Sequence, residues 1–161
     1  MSRTESNVGL ISDTHGLLRP EAMAALTGAD YIIHAGDVGD ASILEQLSTI
    51  APVTAVRGNN DKGAWASGVS ETEVVRVGAA IIYVIHDVKA LDLDPAAAGF
   101  HAVIAGHSHR PSIKLREGVL FINPGSAGPR RFKLPVSVGW LTVSGTSIKP
   151  HIVELTLKQH V

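Results

Sequence analysis

Two short stretches of the chain carry side chains of the kind that hold divalent metals. Asp13-Thr14-His15 follows the apolar run Val8-Gly9-Leu10-Ile11, and Gly106-His107-Ser108-His109 follows Ala102-Val103-Ile104-Ala105. Each places two ligand-type residues, two apart, at the end of a strand-like segment. Strand side chains alternate faces, so positions i and i+2 lean toward one point. Imidazole and carboxylate suit borderline and hard divalent cations. The pairs lie about 90 residues apart, which points to a metal site assembled from distant segments, and so to a metalloenzyme.

Three more polar clusters follow apolar runs: Gly36-Asp37, Gly58-Asn59-Asn60-Asp61 and His86-Asp87. In open α/β sheets, ligands collect just outside the carboxyl ends of strands. A glycine at such an end lets the backbone turn sharply and approach an ion or phosphate. Asp13, His15, Asp37, Asn59, His86, His107 and His109 are too many for one tetrahedral ion and suit two. In a two-metal site the ions activate a shared hydroxide for in-line attack on phosphorus, commonly with one bridging carboxylate. Asp37 is the natural bridge, because it stands alone after its strand.

The elements that must position these groups are short. Strand-like runs fall at 8–11, 31–35, 53–57, 73–77, 80–86, 101–105, 113–116, 119–122, 136–143 and 147–157, mostly ending in Gly, Asp or Asn. Helices are expected from Pro20 to Leu26, with proline in the first turn, and from an Asp40 or Ser42 cap to Ile50. A third is expected over 94–98. Gly78 and Glu117-Gly118 read as hairpin turns. Early strand–helix alternation followed by a run of strands implies βαβ units and then an antiparallel portion, in one mixed α/β domain spanning residues 1–161.

Composition excludes several classes. The chain has 161 residues, 45 % hydrophobic and 18 % charged, with a net charge of −1, as in an ordinary globular domain. It carries no strong nucleic-acid or anionic-lipid footprint; Pro129-Arg130-Arg131-Phe132-Lys133 is the one basic cluster. Zero cysteines rule out disulfides, thiolate zinc sites and a Cys nucleophile. The polar start lacks a signal-peptide core, and no run reaches membrane-helix length. A soluble cytoplasmic protein is expected.

The ordered set Asp13-x-His15, Gly36-Asp37, Gly58-Asn59-Asn60-Asp61, His86 and Gly106-His107-x-His109 resembles the calcineurin-like metallophosphoesterase superfamily. With Arg110-Pro111 and Asn123-Pro124-Gly125-Ser126, it is similar to the small bacterial and archaeal phosphodiesterase branch. The likeness spans roughly residues 7 to 157. It implies a four-layer α-β-β-α sandwich, two mixed sheets flanked by helices, with two metals where strand ends converge. By position, Asp13, His15, Asp37 and His109 would hold one ion, and Asp37, Asn59, His86 and His107 the other. Manganese is the expected metal, with iron, nickel or zinc as alternatives. The implied activity is hydrolysis of a small phosphoester, a diester ahead of a monoester, by a metal-bridging hydroxide. The competing reading is a non-catalytic protein-interaction scaffold of the same fold, as in the retromer subunit. A homodimer is expected by analogy alone.

Two positions depart from the family pattern. Asn60 stands where many members have His or Cys, and His86 is followed by Asp87-Val88 where the family usually continues Gly-His. An amide has no proton to give at neutral pH, and valine binds neither metal nor phosphate. Asn60 and Asp61 join Asp37 and Asn59 as candidate catalytic residues. Asp61 and Asp87 are the candidate sources of general-acid help, although each reads first as an orienting or turn-forming residue. His34 reads as a satisfied group behind the site; His101, His151 and His160 read as structural or solvated. Arg57, Arg130 and Arg131 read as solvated or ion-paired.

Overall fold

The computed structural model describes residues 5–131 and 133–157. Residues 1–4 of the polar start, Phe132 of the basic cluster and His160 lie outside the described residues. Every β-branched run forms a strand. In chain order the elements are β1 (Ser6–Ile11), α1 (Pro20–Ala25), β2 (Tyr31–His34), α2 (Ala41–Ser48), β3 (Val53–Ala55), β4 (Thr72–Val77), β5 (Ala80–Ile85), β6 (Ala102–Ile104), β7 (Ser112–Arg116), β8 (Val119–Asn123), β9 (Ser137–Ser144) and β10 (Ser147–Glu154). Short 3₁₀ turns occupy Ala66–Gly68 and Val88–Ala90.

The first sheet has the order β10-β9-β1-β2-β3 and the second β4-β5-β6-β8-β7. β1, β2 and β3 run parallel, with α1 and α2 in the connections between them, and the β9–β10 hairpin adds antiparallel strands at the far edge. In the second sheet β5, β6 and β8 are parallel, flanked by antiparallel β4 and β7. The β7–β8 turn places Glu117 and Gly118 at φ 51° and 79°, the left-handed pair that a tight hairpin demands.

α1 begins with Pro20, whose missing N–H costs nothing in a first turn. The Asp40 carboxylate caps α2 by accepting from the Ser42 N–H at 3.0 Å, and Ile43 and Leu47 are buried beneath it. The helix expected over 94–98 is instead one turn. Asp94 caps it, Pro95 follows, and Gly99 at φ 83° ends it. A single turn fixes several residues for very few hydrogen bonds, so it does not propagate alone.

Leu26, Ile43 and Leu47 pack the helices against Ile11, Ile32 and Val138 on one face of the first sheet. Its other face meets the second sheet through Val8, Leu10, Ile33 and Leu141 against Ile82, Val84, Ile104 and Ile122. Each such side chain is worth about 1.5–3 kcal/mol on burial. This seam fixes the strand ends of one sheet against those of the other. The outer face of the second sheet is covered only by turns, which set Leu91, Leu93 and Phe100 on Tyr83, Ile85 and Val103. The result is an α/β sandwich whose fourth layer is thin. Among the described residues no helix is long and apolar enough to cross a membrane.

Candidate metal centre

The candidate ligands all follow parallel strands. Asp13 and His15 lie after β1, Asp37 after β2 and Asn59 after β3; His86 lies after β5, with His107 and His109 after β6. Packing of the two sheets brings them together. Asp13, His15 and His109 offer donor atoms all within 4.8 Å of one another, and so do Asp37, His86 and His107. Asn59 stands exposed at the lip of a 630 Å³ cleft that His86 and His107 also line.

The two clusters adjoin. Asp13 Oδ1 lies 3.5 Å from His109 Nε2 and 3.8 Å from His15 Nε2. Asp37 Oδ2 lies 3.2 Å from His86 Nε2 in its own cluster and 3.7 Å from His15 Nε2 in the other. Two donors bound at ~2.1 Å to one ion stand about 3.0–3.4 Å apart, so these separations would need to close only slightly around a cation. Asp13 Oδ1, His86 Nε2 and His109 Nδ1 are buried without a hydrogen-bond partner. Leaving such atoms unsatisfied costs about 1–3 kcal/mol each; a cation in the first cluster would satisfy Asp13 Oδ1, and one in the second would satisfy His86 Nε2. His86 Nδ1 sits 2.7 Å from the Ala35 carbonyl. Donation there leaves Nε2 as the free lone pair, the arrangement typical of a metal-ligating histidine.

Backbone geometry marks the same residues. Asp13, His15, Asp37, His107 and His109 have φ of 55°, 47°, 55°, 73° and 62°. Residues with a Cβ rarely hold this left-handed conformation, which costs of order 1–3 kcal/mol, and such residues cluster at functional sites. Nothing in residue type or spacing announces it. Cross-loop bonds hold it: Asp13 N–H donates to Gly36 O at 3.0 Å, and His15 N–H to Asp37 O at 2.9 Å. Two glycines permit the close approach. A Cβ on Gly58 would overlap Asp37 Oδ1, and one on Gly106 would overlap Ser12 Oγ and come within 2.6 Å of Asp13 Oδ2.

The carboxylates differ in character. Burial pushes the Asp13 carboxyl above its usual range, against the pull of the Ser12 hydroxyl and of His86 and His109. Burial acts upward on Asp37 too, but His86 and the backbone and side-chain N–H groups of Asn60 hold it well below the usual range. For His86, burial acts downward and is outweighed by Asp37 and the Ala35 carbonyl, so the imidazole is raised. Burial, with Arg131 and His15 adding, lowers His109 despite the opposing charge of Asp13.

Asn60 donates to Asp37 through both its backbone N–H (2.9 Å) and its amide (3.1 Å). Asp61, read from sequence as a catalytic candidate, accepts from three backbone N–H groups: Val38 at 3.2 Å, Gly39 at 2.9 Å and Gly58 at 2.9 Å. Both side chains are thus engaged in positioning the loops that carry Asp37 and Asn59. Asp87 Oδ1 caps the 3₁₀ turn at Lys89 N–H, while Oδ2 lies 3.8 Å from His107 Nε2. Arg57 is paired with Glu71 at 2.9 Å. His101 Nδ1 accepts from the Ile81 N–H, away from the clusters.

His34 is fully buried and fully satisfied. Its Nδ1 accepts from Gly36 N–H at 3.1 Å, so the proton is assigned to Nε2, which meets Thr14 Oγ1 at 3.0 Å; that hydroxyl in turn donates to Val38 O at 2.8 Å. Burial drives its pKa down to about 3, with the charge of His86 adding. Sequence reasoning missed Ser12, Thr14, Asn123 and Ser126 as participants. Ser12 Oγ donates to Asp13 Oδ2 (2.7 Å), Ser126 Oγ to Asp13 O (3.0 Å), and Asn123 Nδ2 to Gly106 O (3.0 Å). The Asn-Pro-Gly-Ser segment was their one signal.

Comparison with known proteins agrees with this geometry. The family model of the calcineurin-like phosphoesterase superfamily domain matches residues 7–146. A curated protein of Methanothermobacter thermautotrophicus, described as a "Probable metallophosphoesterase", is 35 % identical over 157 residues, covering 91 % of each chain. Vacuolar Protein Sorting 29 from Cryptosporidium parvum superposes with TM-score 0.80 at 22 % identity, over 94 % of this chain and 92 % of that one. A novel archaeal phosphodiesterase superposes with TM-score 0.75 at 21 % identity, over 91 % of this chain and 99 % of that one. At these identities the two structures speak for the fold.

Proposed function

Because the chain belongs to the calcineurin-like phosphoesterase superfamily, we propose that it is a metal-dependent phosphodiesterase with a dinuclear centre. The observation that carries this reading is the juxtaposition of two donor clusters across Asp37, whose Oδ2 faces one imidazole from each. Asp13, His15, Asp37 and His109 would hold one ion, and Asp37, Asn59, His86 and His107 the other. The nitrogen and oxygen donor set is compatible with manganese, the metal we favour. When bound, the ions would place Lewis-acid charge on the phosphate oxygens and lower the pKa of the attacking water.

The protein's own groups prepare that site. Asn60 fixes the Asp37 carboxylate through two hydrogen bonds, the Ala35 carbonyl sets the His86 ring, and Ser12 orients Asp13. The 630 Å³ cleft gives an esterified alcohol room beside His86 and His107. A diester fits better than a monoester, because it brings one negative charge where a monoester brings nearly two, and Asn60 and Val88 add no cation beside the ligands.

The test is metal content after reconstitution with Mn²⁺, followed by hydrolysis of bis-p-nitrophenyl phosphate. Two ions per chain are expected, with turnover lost in Asp37→Asn and His107→Ala. Stoichiometric metal with no turnover on a broad panel of diesters and monoesters would overturn the enzyme reading. It would favour a scaffold, the role for which the likeness to Vacuolar Protein Sorting 29 supplies a fold precedent.

A further inference from the structure

The thin fourth layer leaves a second depression that the proposed centre does not use. Turns cover the β5 side of the outer face, where Phe100 stacks on Tyr83 at 4.9 Å. Toward β7 the face stays open as a 310 Å³ groove floored by Val103 and Phe121. It shares Asp87 and His107 with the larger cleft, so the two adjoin at the second donor cluster.

The rim of this groove is cationic: Lys89, Arg110, Lys114 and Arg116. Strand alternation explains part of it. Lys114 pairs across the ladder with Phe121, and Arg116 lies two residues on, so both stand on the outer face roughly 7 Å apart along β7. The Arg116 guanidinium lies over the Phe121 ring, 5.7 Å from its centroid. Arg110 directly follows the ligand His109. Among the described residues, none of the four is ion-paired with a carboxylate. Four cations against one carboxylate, Asp87, gather around an apolar aromatic floor, and an anion with a flat apolar body relieves the repulsion among them. Basic grooves with stacking aromatics are how proteins hold single nucleotides of a strand.

We propose that this groove is a subsite for the remote half of the substrate, and that the substrate is a nucleotidyl phosphodiester carrying a further phosphate. A base would lie against Phe121 and the further phosphate would meet Lys114 and Arg116. The proposal rests on the phosphodiesterase reading of the neighbouring centre. A net charge of −1 over the whole chain is compatible with such a local row of cations.

The experiment compares hydrolysis of 5′-phosphorylated diadenylate (pApA) with diadenylate lacking that phosphate (ApA), in the wild type and in Lys114→Ala/Arg116→Ala. The wild type is expected to favour pApA in kcat/KM by about tenfold or more, through KM, and the double variant to bring the ratio to within about twofold. No preference in the wild type, or an undiminished preference in the variant, overturns the proposal. Calorimetric titration of the full chain with each dinucleotide in EDTA reads the same ratio without turnover, and equal affinities there overturn it too. Should pApA bind selectively while neither dinucleotide nor bis-p-nitrophenyl phosphate is hydrolysed, the subsite stands and the phosphodiesterase reading fails.

Discussion

Replacing Asp61 with alanine separates a loop brace from a proton donor. Its carboxylate, 6 % exposed, accepts from the Val38, Gly39 and Gly58 N–H groups at 3.2, 2.9 and 2.9 Å. Hydrogen bonds to an ionised acceptor are worth about 1.5–3 kcal/mol each. With partial relief by water, Asp61→Ala is expected to cost roughly 4 kcal/mol, a large share of a total stability of about 5–15 kcal/mol. Asp61→Asn keeps one oxygen but turns an NH₂ against at least one of the donors, so about 2 kcal/mol is expected, with a better chance of folding. Equilibrium urea denaturation in EDTA measures the loss. Mn²⁺ titration should show weaker binding as well, because the loops that Asp61 ties together carry Asp37 and Asn59. Residual turnover should keep the wild-type pH profile. The reasoning is refuted if either variant loses under about 1 kcal/mol of stability while kcat falls by the 10²–10⁴ typical of a missing general acid.

Three further outcomes follow from the same contacts. Gly106→Ala puts a Cβ into Ser12 Oγ and within 2.6 Å of Asp13 Oδ2, so Mn²⁺ affinity should fall by about tenfold or more; an unchanged affinity by calorimetry would contradict this packing. His34 titrates near 6.5 when unfolded and at about 3 when folded, so between those values the unfolded chain binds the extra proton and stability is lost as pH falls. Wild-type stability in EDTA should therefore drop roughly 1 kcal/mol more than that of His34→Gln between pH 6 and pH 5, and parallel curves would show that His34 is not the group responsible. Finally, the Asn60 amide donates to Asp37 and has no proton to give a departing alkoxide, so turnover of aryl diesters should depend steeply on leaving-group pKa. A flat series would reveal a proton donor elsewhere.

The strands, and the candidate ligands that the fold gathers at their ends, were legible in the sequence because both are local signals. Continuous apolar runs define β1, β5 and β6, and a ligand-type residue one to five positions past a strand end needs only its neighbours to be noticed. The helix expected over 94–98 failed on length, since the Asp94 cap and Gly99 leave room for a single turn. The partners of Asp61 could not be read from the sequence for another reason. Its partners lie up to 23 residues away, and a carboxylate enclosed by backbone N–H groups looks, in sequence, like one facing a substrate. The left-handed backbone of the ligands was equally invisible, because bonds between loops impose it. The row Lys114, Arg116 and the floor Phe121 became meaningful only once β7 was paired with β8.

The bracing of the ligand loops forms a nearly closed circuit. The loop after β1 hangs on the one after β2 through Asp13, His15 and Gly16 N–H groups, and Asp61 ties that loop to the one after β3. Gly106 N–H binds His86 O, joining the loops after β6 and β5, and His107 N–H returns to Asp13 Oδ2 at 3.1 Å. Ser126 and Ala127 close the back against Asp13 and Ser12. Five left-handed residues at about 1–3 kcal/mol each amount to a considerable strain, and this circuit of hydrogen bonds braces it. Donor atoms already within 4.8 Å of one another have little ordering left to do when an ion arrives, so affinity should depend on the braces nearly as much as on the ligands. It also follows that Asp13→Asn is not a clean ligand deletion. The carboxylate oxygen that receives Ser12 and His107 is as much a part of the circuit as the one that faces the three imidazoles, and an amide satisfies only one of the two roles.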